Sequence, residues 1–311
     1  MSGPGGVSGP IRLRARIRAA GFRTYRMNAE YYNSRRSPEV QAAATAWSDP
    51  AGTLGRIVVE TRHRIAALGL RRAELEEEVA AAPVVAPLGA ALRGERVAVI
   101  AELKRRSPSK GDINHALAAV ERALAYAAGG ASALSILTEP AHFGGMAEDV
   151  TAARRAVSLP ILRKDFHLDP LQLLEAKALG ASAVLLIVRA LSPADLTRLI
   201  DAAGSLSLEA LVEVHTHEEL HRAVDSGAML IGVNNRDLET LVVDPATCER
   251  LLPLVPAHLV VVAESGVTSA DDVAHLASFG ADAVLVGSSL SSARDPEAAV
   301  RSLATIRRLE R

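Results

Sequence analysis

Residues 97–111 read Val-Ala-Val-Ile-Ala-Glu-Leu-Lys-Arg-Arg-Ser-Pro-Ser-Lys-Gly. The apolar run Val97 to Ala101 predicts a short buried strand, and it ends abruptly in Glu102, Lys104, Ser107 and Lys110. Strands buried on both faces are near-continuous apolar segments, so charges gathered at the carboxyl end of one face a pocket. Pro108 and Gly111 then break the chain into a loop. A strand that delivers both charge signs and a hydroxyl into one loop reads as the rim of an active site.

The pattern recurs. Ala133–Leu137 is followed by Thr138 and Glu139, Leu159–Leu162 by Arg163, Lys164, Asp165 and Phe166, and Ala183–Val188 is another apolar strand. Ala210–Val212 leads to Glu213, Leu230–Val233 to Asn234, Asn235 and Arg236, and Leu259–Ala263 to Glu264, Ser265 and Gly266. Ala283–Val286 leads to Gly287, Ser288 and Ser289, which brings the strands to eight. Strong helix formers fill Leu117–Ala128, Pro170–Leu179, Pro193–Ala203, Thr216–Val224 and Ala270–Phe279, with Gly129, Gly180, Gly227 and Gly280 near the ends. Asp169-Pro170 and Ser192-Pro193 have the form of helix starts. Eight strand-helix units predict an α/β fold, a single (β/α)8 TIM barrel over residues 51–311. An open doubly wound sheet is the runner-up, and the glycine-rich turn it needs after its first strand is missing.

Composition fits one soluble domain: 311 residues, 49% hydrophobic, can bury a large core. A net charge of −1 gives no electrostatic case for nucleic acid or a membrane surface, and no apolar run is long enough to cross a bilayer. The single cysteine, Cys248, excludes an intrachain disulfide and points weakly to a reducing compartment. Residues 1–50 read as a flexible basic extension, rich in Gly, Ser and Pro to Pro10 and then in arginine from Arg12 to Arg36. A basic tail or an upstream start codon is favoured there over an organelle transit sequence. Thr53 to Ala82 predicts one extra amphipathic helix, expected under the N-terminal face of the barrel.

In such a barrel all strands end on one face, so Glu102, Lys104, Ser107, Lys164, Glu213, Asn234, Arg236, Glu264, Ser265, Gly287 and Ser288 converge. Carboxylates beside ammonium groups push proton affinities apart and can supply an acid and a base, and Lys164 and Glu213 are the obvious pair. A rim of purely structural ion pairs is the alternative for any one residue, and the convergence of the whole set speaks against it. Glu264-Ser265-Gly266 and Gly287-Ser288-Ser289 put small residues after strands seven and eight, where phosphate sites of such barrels lie.

The segments IAELKRRSPSKG (100–111), LSILTE, HFGG, LRKDF, VLLIV, LVEVH, GVNNRDLETL, VAESGV and VLVGSSL resemble the indole-3-glycerol phosphate synthases of tryptophan biosynthesis, in order from about Leu54. IAELKRRSPSKG and NNRDLETL are the specific parts. The resemblance implies ring closure, decarboxylation and dehydration of 1-(2-carboxyphenylamino)-1-deoxyribulose 5-phosphate, a carboxy-lyase reaction without metal or organic cofactor. It implies that Lys164 is the general acid that polarises the ketone, that Lys104 contacts substrate and donates a proton in the dehydration, and that Glu213 is the base. Glu102 and Asn234 would hold the substrate and tune those groups, with Glu264 also against it. Arg236 and Ser107 would meet the anthranilate carboxylate, Phe143, Phe166, Leu185 and Leu238 would wall the aromatic ring, and Ser265, Gly266, Gly287 and Ser288 would hold the phosphate.

Other signals carry less. His217-Glu-Glu-Leu-His221 matches the zinc-hydrolase pattern H-E-x-x-H, but no third histidine follows at the extended spacing, and Glu213, His215 and His217 alternate as a strand end would. Cys248 reads as an idle buried thiol, and Trp47 supports no assignment. The alternatives are a related phosphate-binding isomerase, such as phosphoribosylanthranilate isomerase, and a non-catalytic sugar-phosphate-binding barrel. The Lys104–Lys110 loop and Lys164-Asp-Phe166 speak against the isomerase. A small phosphorylated substrate is the expected partner, with other tryptophan-pathway enzymes as candidates, and the cytoplasm is the expected compartment.

Overall fold

Side chains alternate across a strand, and here that alternation sorts the apolar residues into two layers. The structure is a computed structural model and describes residues 47–109, 111–114, 118–309 and 311. The barrel strands are β1 Ala98–Leu103, β2 Ala133–Leu137, β3 Ile161–Lys164, β4 Ala183–Ile187, β5 Glu209–Val214, β6 Leu230–Asn234, β7 Val260–Glu264 and β8 Ala283–Val286. Neighbours pair in parallel in chain order, and β8 returns to β1 in the register Ala98↔Ala283 to Ala101↔Val286, closing the sheet. Ile100, Leu162, Leu185, Leu211, Leu230, Val262 and Leu285 fill the interior. Val99, Leu134, Val184, Val212, Val261 and Val284 face outward into the layer beneath the helices. The (β/α)8 barrel expected from the sequence is the fold observed.

β1, β3, β5, β6 and β7 run further than the apolar runs alone predict, so Glu102, Lys164, Glu213, Asn234 and Glu264 lie within strands rather than after them. Counting by twos from the interior leucines and valines, each is the last inward position of its strand. The helix starts behave as expected. The Asp169 carboxylate accepts from Leu171 N, and Ser192 Oγ accepts from Asp195 N, each ahead of a proline in the first turn. At the end of helix Ala119–Ala128 the left-handed residue is Gly130, at φ 90°, rather than Gly129.

Two expectations need correction. The run Thr53–Ala82 is two helices, Gly52–Gly69 and Arg72–Ala81. After Gly69 the N–H groups of Leu70 and Arg71 reach only three residues back, to Ala67 O and Leu68 O, which ends the first helix. Nor does the first helix sit under the barrel. Its leading N–H groups bond to loop carbonyls after β6 (Thr53 N to Glu239 O, Leu54 N to Leu238 O), and Arg64 pairs with Glu139 after β2 and Asp165 after β3. It therefore lies against the carboxyl-terminal end. The opposite end is stoppered by the short helix Leu88–Ala91, with Leu88 and Leu92 fully buried and Gly89 N donating to Glu209 Oε2 at the start of β5. Residues 1–46 of the expected extension, Lys110 and Leu117 lie outside the described residues.

Candidate active site

The carboxyl ends of the strands surround a cavity of about 380 Å3. Glu102, Lys104, Ser107, Phe143, Lys164, Phe166, Leu185, Glu213, Asn234, Arg236, Leu238, Glu264, Ser265, Gly266, Gly287 and Ser288 all line it. The structure thus brings together every site residue expected from the sequence.

At the floor, the Lys164 ammonium lies 3.3 Å from Glu213 Oε2 and 3.2 Å from Glu264 Oε2. Burial alone would lower its proton affinity, but Glu264, Glu213 and Glu102 outweigh burial and hold it above the ordinary lysine value. The two carboxylates divide in the opposite sense. Burial pushes up the Glu264 carboxyl and its carboxylate neighbours add to that, so that it titrates at about 7 despite Lys164. Glu213 is buried as deeply, yet Lys164, His215 and Asn234 overcome burial and bring it down to about 2. Asn234 Nδ2 donates to Glu213 Oε1 at 3.0 Å and leaves its own Oδ1 for Arg236 N at 2.9 Å. A separate pair stands across the floor: Lys104 Nζ lies 2.9 Å from Glu102 Oε1, and Ser135 Oγ donates to Glu102 Oε2 at 3.3 Å.

Two glycines make room for these carboxylates. A Cβ at Gly232 would stand 2.3 Å from Glu264 Oε1, and one at Gly287 would stand 2.3 Å from Glu102 Oε1 and 2.9 Å from Lys104 Nζ. One side of the cavity is apolar, with the rings of Phe143 and Phe166 at 6.2 Å between centroids and Leu185 and Leu238 beside them. Phe143 is placed by Glu139, whose carboxylate accepts from the N–H groups of Ala141, His142 and Phe143. On the other side Ser265 and Gly266 turn through left-handed backbone, at φ 66° and 97°. The four-residue helix Ser288–Ser291 follows Gly287 there. Arg236 Nη1 donates to Leu241 O at 2.9 Å, which fixes the guanidinium at the mouth.

A family model described as indole-3-glycerol phosphate synthase matches residues 54–303. An indole-3-glycerol phosphate synthase of Streptomyces griseus subsp. griseus is 52% identical over 230 residues, 74% of this chain and 86% of that one. The chain belongs to the indole-3-glycerol phosphate synthase family. It is accordingly a carboxy-lyase of tryptophan biosynthesis, and the isomerase alternative falls away. A synthase of the same name from a Nocardioides species is 55% identical over 205 residues, 66% of this chain and 79% of its own. Beyond the synthase family the likeness is one of fold: 3-hexulose-6-phosphate synthase from Salmonella typhimurium superposes with a TM-score of 0.53 at 16% identity, over 67% of this chain and 97% of that one.

Sequence reasoning missed several groups that support the synthase pocket. Ser291 Oγ donates to Glu102 O at 2.9 Å and accepts from Lys104 N at 3.1 Å, so it ties the end of β1 to the segment after β8. Tyr126 OH also donates to Glu102 O, at 3.3 Å. Thr268 and Ser292 join the lining on the glycine-rich side. The serines and the threonine carry no signal in a single sequence, because both residue types are common in loops for reasons of turn geometry, and Tyr126 reads as one more apolar position of its helix. The H-E-x-x-H match lies on helix His217–Asp225 with its two imidazoles edge to face at 4.4 Å, outside the cavity lining. Cys248 is buried, with Sγ donating to Val233 O, and burial lifts its thiol to about 12, so it is idle as a nucleophile. Among the described residues no helix is long and apolar enough to cross a membrane.

Proposed function

We propose that this cavity converts 1-(2-carboxyphenylamino)-1-deoxyribulose 5-phosphate into indole-3-glycerol phosphate, with Lys164 as general acid, Lys104 as second proton donor and Glu213 as base. The observation that carries the reading is one ammonium held between two buried carboxylates, Glu213 and Glu264, on the floor of a cavity with an aromatic wall. The ring carbon that bears the carboxylate attacks the ketone carbon, and the ketone oxygen takes the Lys164 proton as the new C–C bond forms. Carbon dioxide departs and leaves its electron pair in the ring. The hydroxyl made in the first step then leaves as water with a proton from Lys104, while Glu213 takes the proton whose loss completes the indole. Proton transfers of this kind are worth about 10²–10⁴-fold each in rate.

The remaining residues bind. Glu102 and Asn234 hold the sugar chain and tune the lysine and the base, and Glu264 keeps Lys164 charged. Arg236 and Ser107 receive the anthranilate carboxylate, for which a planar guanidinium is suited. Phe143, Phe166, Leu185 and Leu238 enclose the benzene ring. Ser265, Gly266, Gly287 and Ser288 hold the phosphate through backbone N–H groups and hydroxyls. The same reading puts the enzyme in the cytoplasm, with other tryptophan-pathway enzymes as candidate partners, and keeps residues 1–50 as an extension of the catalytic domain 51–311.

The test is to supply the substrate to the purified chain and follow indole absorbance and fluorescence, with and without a chelator. Steady turnover in both supports the reading. Tight binding without turnover transfers the chain to the non-catalytic alternative, and the absence of both sinks the substrate assignment.

A further inference from the structure

Glu213 is held by a group that the cavity does not contain. His215 follows the end of β5 by one residue, keeps 12% of its side chain exposed, and is not among the lining residues. Its Nε2 lies 3.3 Å from Glu213 Oε1, and its Nδ1 lies 3.3 Å from Glu219 Oε2. Glu219 is itself fixed: its N–H donates to Thr216 Oγ1 at 3.1 Å, and its Oε2 accepts from His215 N at 2.7 Å. This is the second glutamate of the H-E-x-x-H match, turned away from the two flanking histidines and toward His215.

A neutral imidazole carries one N–H, so a ring with a carboxylate oxygen facing each nitrogen would set a lone pair against one of them. The doubly protonated ring removes that conflict. The Nε2 contact is too poorly aligned to be a hydrogen bond, so toward Glu213 the ring acts as a charge, while the Glu219 side anchors it. Asp237, on the loop after β6, also feels the charge of His215, and it too is a carboxylate.

We propose that the His215 imidazolium, anchored by Glu219, is a positioning residue that keeps Glu213 ionised and oriented from behind the cavity. The proposal rests on the reading of Glu213 as the base. Its logic is that Lys164 changes partner during the reaction. When that ammonium turns to the ketone oxygen, Glu213 loses the cation on its cavity side, and His215 remains to balance the charge. Burial opposes the imidazolium, yet Glu213 and Glu219 hold it up to about 10, so it stays charged through neutral pH.

The test compares His215→Gln, Glu219→Gln, His215→Lys and Glu213→Gln in the full chain, with kcat and KM followed from about pH 2 to 9, a range that reaches the Glu213 limb. Loss of the imidazolium lets Glu213 keep its proton to higher pH. The acidic limb of kcat in His215→Gln should therefore move up by about 1 unit, with kcat down about tenfold at the optimum and KM within about twofold. Glu219→Gln should move the limb the same way by less, and it carries the test if His215→Gln does not fold. His215→Lys, which restores a cation, should bring the limb part of the way back. A limb that stays in place in the glutamine variants at positions 215 and 219, with Glu213→Gln inactive, overturns the positioning role and leaves the base assignment standing. A Glu213→Gln enzyme with normal turnover overturns the base assignment and this proposal with it.

Discussion

Lys164 sits where two carboxylates compete for one cation, and the energetics of the site follow from that residue. Lys164→Ala should lower kcat by at least about 10² while substrate binding survives, as read by turnover against equilibrium binding. Glu264 gives a pH signature of its own. Its carboxyl titrates at about 7 in the folded chain against an ordinary 4.5, so the native state binds that proton more tightly than the unfolded state. Its contribution to stability is therefore full below pH 4.5 and is lost as pH rises through about 7. Glu264→Gln, which mimics the protonated form, should gain on the wild type between pH 5 and pH 8 in urea unfolding, by on the order of 1 kcal/mol. A difference that stays flat across that range would show that Glu264 does not hold its proton to about 7. Glu213 runs the other way: brought down to about 2, it supports the fold above pH 4.5 and gives that up only as pH falls toward 2.

At the level of the element, β1, β3, β5, β6 and β7 each end their inward-facing row on a polar residue, whereas β2, β4 and β8 end theirs on Leu137, Ile187 and Leu285. Gly287, one step past β8, shows how tightly that level is packed. Gly287→Ala would press on the Glu102 carboxylate and the Lys104 ammonium, the far ends of flexible side chains. Stability should therefore change by no more than about 1 kcal/mol. The displaced charges should still lower kcat/KM by about tenfold or more, since small misplacements at a reacting centre are costly. The strands were legible because an apolar run of three to six residues is too short for a buried helix and too apolar for a loop, and the polar residues that close most of the runs marked the site. Their ends were less so: whether Glu102 or Glu213 closes a strand or opens a loop depends on the neighbouring strand, as in the pairings Glu102↔Ser135 and Glu213↔Gly232. The break at Leu70 escaped notice because the apolar spacing continues across it. His215 escaped as well, since its meaning depends on Glu219 four residues on, and nothing in local sequence says that both turn toward Glu213.

At the largest scale, the barrel of the described residues has two differently built ends. A stopper of Leu88 and Leu92 closes one, while helix Gly52–Gly69 leans over the loops of the other and sends Leu54, Ile57 and Val58 toward Phe166 and Leu238. Leu54→Ala should cost about 2–5 kcal/mol in urea unfolding, as fully buried leucines do, and should also raise KM because Leu54 backs the apolar wall. A Leu88→Ala change at the other end should cost as much with KM unmoved. The placement of the first helix could not be read from its own periodicity, which shows that one face is buried but not against what. The space that Gly232 leaves for Glu264 has a consequence for the chemistry of the chain. Any larger residue at 232 presses on the carboxylate tip of the next strand, so it would turn Glu264 away from Lys164 before it threatened the fold. A change at 232 is therefore felt first by the chemistry and only then by stability. One missing methyl group ties a silent position on one strand to the charge balance of the next.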